Sequence, residues 1–271
     1  DNIMVRIAPI ESKNMYPHMD SKVNPAAANA FAGWSAVAKN LAVWDYGTNF
    51  SSYIAPYPDW GTIQQNLKMY RDKGVRDILT QLPAHTQGTS LHDYKIFMRS
   101  ELMWNVDADY KSLHNEFFEN YYREAAPVMQ KYFDYLVMTY ASKANLYQGS
   151  LYYNLYSSSF WTYENTLQLE SYIDEAKEAI LPIKEKDPDT YNKVYARLTQ
   201  ESLFYRYLQI EVFGDYYSKS NLFDMINSFE ADAKEAKLVA VSNQTYFSPS
   251  GRTDEGLMIR VLERWRNDLL N

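Results

Sequence analysis

Asp45 closes an apolar run, Leu41-Ala42-Val43-Trp44-Asp45-Tyr46, where it stands between two aromatics and ahead of Gly47-Thr48-Asn49-Phe50 and Pro56-Tyr57-Pro58-Asp59. An earlier run from Ile3 to Ile10 stops at Glu11, with Tyr16 and His18 close behind. An acid at the end of a strand can carry a proton or orient a water, and a Trp or Tyr face beside it can stack on a sugar ring. Glycoside hydrolysis uses two such carboxyls, about 5 Å apart for a covalent intermediate or about 6.5–9.5 Å apart when a water fits between them. Strands lie about 4.8 Å apart, so acids on neighbouring strands suit either distance. Asp45 is the leading candidate and Glu11 the second. The competing reading is that each acid caps the following helix or binds a loop amide.

Other side chains would join the same mouth. Of Trp44 and Tyr46, one is expected to line it and the other to pack beneath helices. Asn49 follows them, Tyr57 and Trp60 offer a stacking platform in the loop, and His18 lies one short loop after Glu11. Gln81, His85 and Gln87 follow a third strand, and amides or a neutral imidazole both donate to and accept from hydroxyls. On these grounds Asp45→Asn is expected to abolish activity with little effect on stability.

These residues need a scaffold that alternates strands and helices, and the first ninety residues read that way. Residues 3–8, 41–45 and 75–79 have strand character, and 25–39 and 59–73 have helical character, with Asn24-Pro25 as a start signal and Gly74 as a stop. Short strands alternating with helices imply parallel strands and right-handed crossovers. A complete eight-stranded barrel takes about 250 residues, so three units are under half of one. The expected fold is therefore α/β followed by all-α: the C-terminal part of a (β/α)8 TIM-like barrel over 1–90, its N-terminal half lying elsewhere in a longer protein, and a helical domain over 91–271. In that domain helical patterns cover 91–103, 107–121, 123–145, 163–185, 188–213, 220–238 and 254–270, with Asp107 as a cap and Asp187-Pro188 as a start.

Composition narrows the function classes. The 271 residues carry a formal charge of −7, and without a Lys/Arg-rich run there is no footprint for nucleic acid. No cysteine occurs, which removes thiolate metal sites and thiol nucleophiles. The four histidines show no HExxH spacing, no glycine-rich phosphate loop is present, and no G-x-S-x-G elbow occurs. The spacing Asn105-x-Asp107-x-Asp109 with Glu116 hints at a calcium loop, but Tyr110 takes the place that needs glycine, so helix capping is the expected role. Neither metal nor cofactor is expected, and no apolar stretch is long enough to insert in a membrane. Aromatics are abundant, with 25 Tyr, 12 Phe and 6 Trp. The Tyr-rich stretch 147–163 is expected to be a buried seam between helices rather than an exposed platform.

The segment from Trp34 to about Leu136 resembles a bacterial family known as domain of unknown function 4838. Trp34, Trp44-Asp45-Tyr46 with Asn49, and the turn to Pro58 carry the likeness, with Asn66 to Gly74, Tyr94 to Trp104-Asn105 with Asp107, and Glu116 to Tyr122 running into Ala125-Ala126. The segment Tyr94 to Asn105 also resembles the exit from the last barrel strand in family 67 α-glucuronidases, and the family looks related to these and to hexosaminidase-type barrels. The resemblance implies part of a glycoside hydrolase acting on polysaccharide or glycan, with late-strand acids as base or water-orienting groups and the proton donor on earlier strands. The alternative is a non-catalytic glycan-binding protein of a bacterial polysaccharide-utilisation system. Either way the partner would be carbohydrate and the setting an exported one in a bacterium, periplasmic, extracellular or on the outer surface.

Overall fold

The computed structural model describes residues 2–83, 86–243 and 256–270. Strands β1 (Val5–Ile7), β2 (Leu41–Tyr46) and β3 (Val75–Gln81) form one parallel sheet in the order β1-β2-β3. They are connected by helices α1 (Pro25–Val37) and α2 (Ile63–Asp72). This is the three-unit βα alternation expected from the sequence, and it leaves the sheet open: no barrel closes among the described residues. Helix α2 forms because Ile63, Asn66, Leu67 and Tyr70 recur on one buried face, and it stops where Gly74 takes φ +75, a conformation that glycine adopts without a Cβ penalty.

The two faces of the sheet differ. Leu41 and Val43 point under the helices, where they join Phe31, Leu67 and Tyr70 in the core. The opposite face is set by the register Arg6↔Ala42↔Asp77 and Trp44↔Leu79. There Arg6 and Asp77 bridge over Ala42 at 2.6 Å, while Trp44 stays 37% and Leu79 40% exposed. Purely parallel sheets normally have both faces covered; here the second face is covered only in part, with Ala42 and Tyr46 buried and Trp44 and Leu79 open.

The helical half comprises α3 (His92–Trp104), α4 (Tyr110–Tyr122), α5 (Ala126–Ser142), α6 (Tyr163–Ala179), α7 (Pro188–Glu211), α8 (Lys219–Glu235) and α9 (Met258–Leu270). Its helix starts are chemically defined. Asp109 caps α4 through Ser112 N–H, Thr162 and Asn165 make a reciprocal capping box on α6, Asp187 caps α7 through Thr190 N–H, and Ser218 caps α8 through Asn221 N–H. The cap of α4 is thus Asp109 rather than Asp107, whose carboxylate pairs with Arg71 at 2.7 Å. Helix α7 runs through the middle and buries residues on most sides, from Tyr191 and Val194 to Leu208 and Ile210, as a helix enclosed by others must.

One hydrophobic core runs from Ile7 and Val43 in the sheet to Trp265 in α9. The boundary expected at residue 90 crosses this core without a linker. Segment 147–161 is the seam foreseen for it: Tyr147, Leu151, Leu155, Phe160 and Trp161 are buried, while of its aromatics Tyr152 is exposed. Gly149 fixes that seam to the loop after β1. At φ +87, a Cβ on it would stand 2.5 Å from Met15 N and 2.8 Å from Asn14 N, the amides that donate to Gln148 O and Gly149 O. Gly149→Ala is therefore expected to cost roughly 3 kcal/mol from strain and overpacking. Gly33→Ala, in α1 with open space around it, should be neutral or slightly stabilising. Paired urea titrations of the two variants check this, and equal midpoints would remove the steric argument.

Candidate functional site

Asp45 ends the inward row of β2, and α3 returns across the strand ends to meet it. Arg99 on α3 donates Nη1–H to Asp45 Oδ2 at 2.7 Å and Nη2–H to Asp59 Oδ2 at 2.6 Å. All three side chains are at least nine-tenths buried. Burial works against the guanidinium charge, but the fields of Asp45 and Asp59 and the hydrogen bonds to them outweigh it and hold the Arg99 pKa above its ordinary value. One turn earlier Lys95, fully buried, donates Nζ–H to Gly47 O at 2.7 Å and lies 5.3 Å from the centre of the Tyr57 ring. Burial lowers its pKa to about 8, against the opposing field of Asp59.

A chain of neutral groups runs on from Asp45. Tyr70 sits buried in the field of Asp45, and burial together with that field raises its pKa, while its hydroxyl meets His18 Nδ1 at 2.8 Å. His18 Nε2 meets Asn14 Oδ1 at 3.0 Å, Asn14 Nδ2 donates to Tyr57 Oη, and the Tyr57 hydroxyl donates to Gly149 O at 2.9 Å. Burial pushes the His18 pKa down, ahead of the opposing field of Asp45, so the imidazole is neutral and must donate at one nitrogen and accept at the other. The chain ties β2, the loop after β1 and the Tyr-rich seam together beneath the mouth.

A second buried carboxylate lies on the helical side. Glu201 of α7 accepts from Ser90 Oγ at 2.7 Å, from Leu91 N–H at 3.0 Å and from the Tyr122 hydroxyl at 3.2 Å. It therefore serves the start of α3, where Leu91 takes φ 56 and offers no side-chain cap, and the positive end of that helix favours an acid. Burial dominates nonetheless and raises the Glu201 pKa to about 7.

The expected site residues divide on this geometry. Asp45 is 4% exposed and engaged by Arg99, so it positions α3 and the 47–59 loop and meets no substrate as it stands. Its carboxylate neighbour across Arg99 is Asp59, whereas Glu11 is exposed on the turn after β1. Trp44 and Tyr46, two apart, share a sheet face as the strand period requires. Trp44 stays open and donates Nε1–H to Gln81 Oε1 at 2.9 Å, while Tyr46 is buried with Phe50, Tyr53 and Leu151. Asn49 is consumed by backbone, donating to Tyr153 O at 2.8 Å and accepting from Ser51 N–H.

Trp60 and Tyr57 form no platform. Trp60 packs edge-on against Phe133 and Tyr140, because the proline-rich loop is drawn into the junction with α5. His18 is buried, Gln87 is exposed, and His85 lies outside the described residues. Sequence reasoning missed Arg99, Lys95, Asp59 and Glu201. A signal existed for the first two: both basic residues share the buried face of α3 with Tyr94, Met98 and Leu102, and a cation inside an apolar helical stripe needs an internal partner.

Among the described residues no cluster of His, Asp or Glu could hold a metal ion, and no helix is long and apolar enough to cross a membrane. Searches against curated proteins and against solved structures return no match. Residues 1–134, the stretch that carries the sheet and the whole Asp45–Arg99–Asp59 cluster, match the family model described as Domain of unknown function (DUF4838).

Proposed function

We propose that this chain is part of a glycoside hydrolase-like β/α barrel and that its share of the work is to hold glycan, with the proton-donating acid supplied by strands outside these three. The observation that carries the reading is the open part of the second sheet face, around Trp44 and Leu79. These two stand open where a barrel would place its interior layers, and barrel interiors are filled by side chains from all the strands. Trp44, steadied through its indole N–H by Gln81, presents an aromatic face and an amide to one side, the pairing that suits a sugar ring. Glu11, exposed after β1, is the acid still free to act as base or to orient water. In this reading the protein works on polysaccharide in an exported bacterial setting, and the helical half is the buttress that fixes α3 and the mouth loops.

Glycosidic cleavage needs a carboxylic acid at the leaving oxygen and a second carboxylate opposite. With Asp45 occupied by Arg99, the isolated chain is expected to show no turnover on aryl-glycosides or aryl-glucuronides. It should still bind oligosaccharide weakly, and Trp44→Ala should reduce that binding about tenfold with the fold retained, since Trp44 lies outside the buried core. Calorimetry with plant and host glycans checks the binding. Turnover by the chain alone, lost in Glu11→Gln, would show a complete active site here, and absence of binding to any glycan would remove the reading.

A further inference from the structure

Helix α3 is two-sided. Its buried face carries Lys95 and Arg99 to the strand ends. Its other face presents Asp93, Ile96, Phe97 and Ser100 at helical spacing, and there Asp93 meets Tyr121 and Phe97 meets Phe117 of α4. Between the two helices lies a pocket of about 610 Å³, well inside the roughly 300–1,000 Å³ range of small-molecule sites. Its apolar wall is largely aromatic. Phe97 and Phe117 lie 5.5 Å apart between ring centres, Phe117 stacks on Tyr121 at 4.7 Å, and Ile96, 40% exposed, completes the wall.

The charge on this pocket has one sign. Asp93 and Glu116 line it, and no lysine or arginine does. Asp93 accepts a hydrogen bond from the Tyr121 hydroxyl, a neutral donor that leaves the carboxylate charge uncompensated. Glu116 is exposed and has no ion-pair partner among the described residues. Arg197 of α7 is the cation packed against the aromatic wall, 3.9 Å from the centre of the Tyr121 ring and donating to Tyr121 O at 2.6 Å. Since Phe117 stacks on one face of Tyr121, that guanidinium takes the other, behind the wall. Two carboxylates in the pocket thus stand against one guanidinium outside it, and the same aromatic cluster already holds a cation by its π-face.

An aromatic pocket with uncompensated carboxylates suits a ligand that joins an apolar body to a positive charge. The body leaves water against Ile96 and the rings, and the charge is attracted both by the carboxylates and by the ring quadrupoles. An anion would be repelled by Asp93 and Glu116, and a neutral ligand would leave both unmatched. We propose that the pocket between α3 and α4 binds a small organic ammonium ion with an apolar body, an arylalkylamine in size and chemistry. Asn120 spends one N–H on Glu116 O at 2.9 Å, which leaves its amide oxygen as a further acceptor for the ammonium on the pocket lining. The site is independent of the glycan reading, since the mouth is served by the opposite face of α3.

The test is an amide-resolved NMR titration of the whole chain with three probes that share one ring and differ in head group: benzylammonium, benzyl alcohol and benzoate. Benzylammonium should shift the Ile96, Ser100 and Asn120 amides with a Kd on the order of 1 mM, which a ligand of this size reaches. Benzyl alcohol should bind about tenfold more weakly, the combined effect of an exposed ion pair and a cation–π contact, and benzoate should leave these amides unmoved. Glu116→Gln, a change at an exposed position, should weaken benzylammonium about fivefold and leave benzyl alcohol as it was. Glu119→Gln, also on α4 but outside the pocket lining, should change neither. Equal binding of all three probes would show no selection for charge and overturn the proposal, as would benzylammonium shifts absent from these amides. Equal weakening in Glu116→Gln and Glu119→Gln would trace the effect to the net charge of −7 and overturn it too. The comparison of the three probes on the parent chain decides even where a variant fails to fold.

Discussion

Arg99→Met is expected to destabilise the protein by about 3–5 kcal/mol, the cost of leaving a buried ion pair without one partner, against a total stability of roughly 5–15 kcal/mol for a folded domain. Both carboxylates that Arg99 serves are inaccessible to water as a substitute, since Asp45 and Asp59 are 6% and 1% exposed at the side chain. Arg99→Lys should recover part of the loss only, because an ammonium lacks the planar fork that reaches two carboxylates at once. Asp45→Asn should cost less than Arg99→Met, since Asp59 keeps its guanidinium partner. That reverses the expectation from sequence, in which Asp45→Asn left stability untouched.

The triple replacement Arg99→Met, Asp45→Asn, Asp59→Asn removes every charge of the cluster and should be more stable than Arg99→Met alone, a non-additivity that marks a coupled network. Thermal melts rank the variants: a loss of this size lowers the midpoint by roughly 10 °C. A midpoint for Arg99→Met within a degree or two of the parent would mean that the cluster contributes nothing to stability.

The second large effect is a pH dependence carried by Glu201. Its folded pKa is raised to about 7 from an ordinary 4.5, with burial as the main cause and the hydrogen bonds from Ser90, Leu91 and Tyr122 opposing it. Between those values the native state holds a proton that the unfolded chain releases, so stability must fall as pH rises. The contribution is fully present below about 4.5 and is lost by the time pH has passed 7, amounting to about 3 kcal/mol over the window.

His18, His92 and His114, whose pKa values burial lowers, act in the opposite sense below 6.5, which is why the comparison needs a variant. In Glu201→Gln the amide oxygen can still accept from Leu91 N–H and Tyr122, and the amide nitrogen can donate to Ser90 Oγ, so the geometry survives without the titration. Urea denaturation at pH 5 and pH 7.5 should show the parent losing stability relative to Glu201→Gln at the higher pH. Parallel pH profiles for the two would show that Glu201 does not titrate as its burial requires. Lys95, whose pKa burial lowers to about 8 with the field of Glu201 opposing, gives up part of its proton toward pH 7.5, which acts against the Glu201 effect and does not produce it.

Local rules settled a good deal of this molecule in advance. The alternation of strand and helix over the first ninety residues follows from apolar periodicity and from Pro25, Gly74 and the turn residues between them. Caps such as Asp187 and the helical runs from 91 onward are equally local, which is why elements appeared where their patterns lay and only margins moved, as with Asp109 for Asp107. The parallel pairing followed too, since a helix between two strands admits little else. The match of residues 1–134 to DUF4838 answers the resemblance carried by Trp44-Asp45-Tyr46 and Tyr94 to Asn105.

Tertiary structure alone decided which polar side chains face water. Asp45 looks like a rim acid in sequence because it ends a strand, but α3 folds back over that end and brings Arg99, 54 residues later, onto its carboxylate. Trp60 looks like a loop aromatic until α5 draws it into the core, Tyr57 until Asn14 and Gly149 take its hydroxyl, and Asn49 looks free until the 147–153 segment supplies its carbonyl partners. Glu201 is one acid among many on a long helix until packing sets it at the start of α3, 110 residues earlier. The reason is common to Asp45, Asn49 and Glu201: burying a charge or an amide is unfavourable by several kcal/mol unless a partner arrives from elsewhere in the chain. Sequence spacing shows where a group sits on its own element, and only the docking of elements shows whether water or a distant partner will meet it.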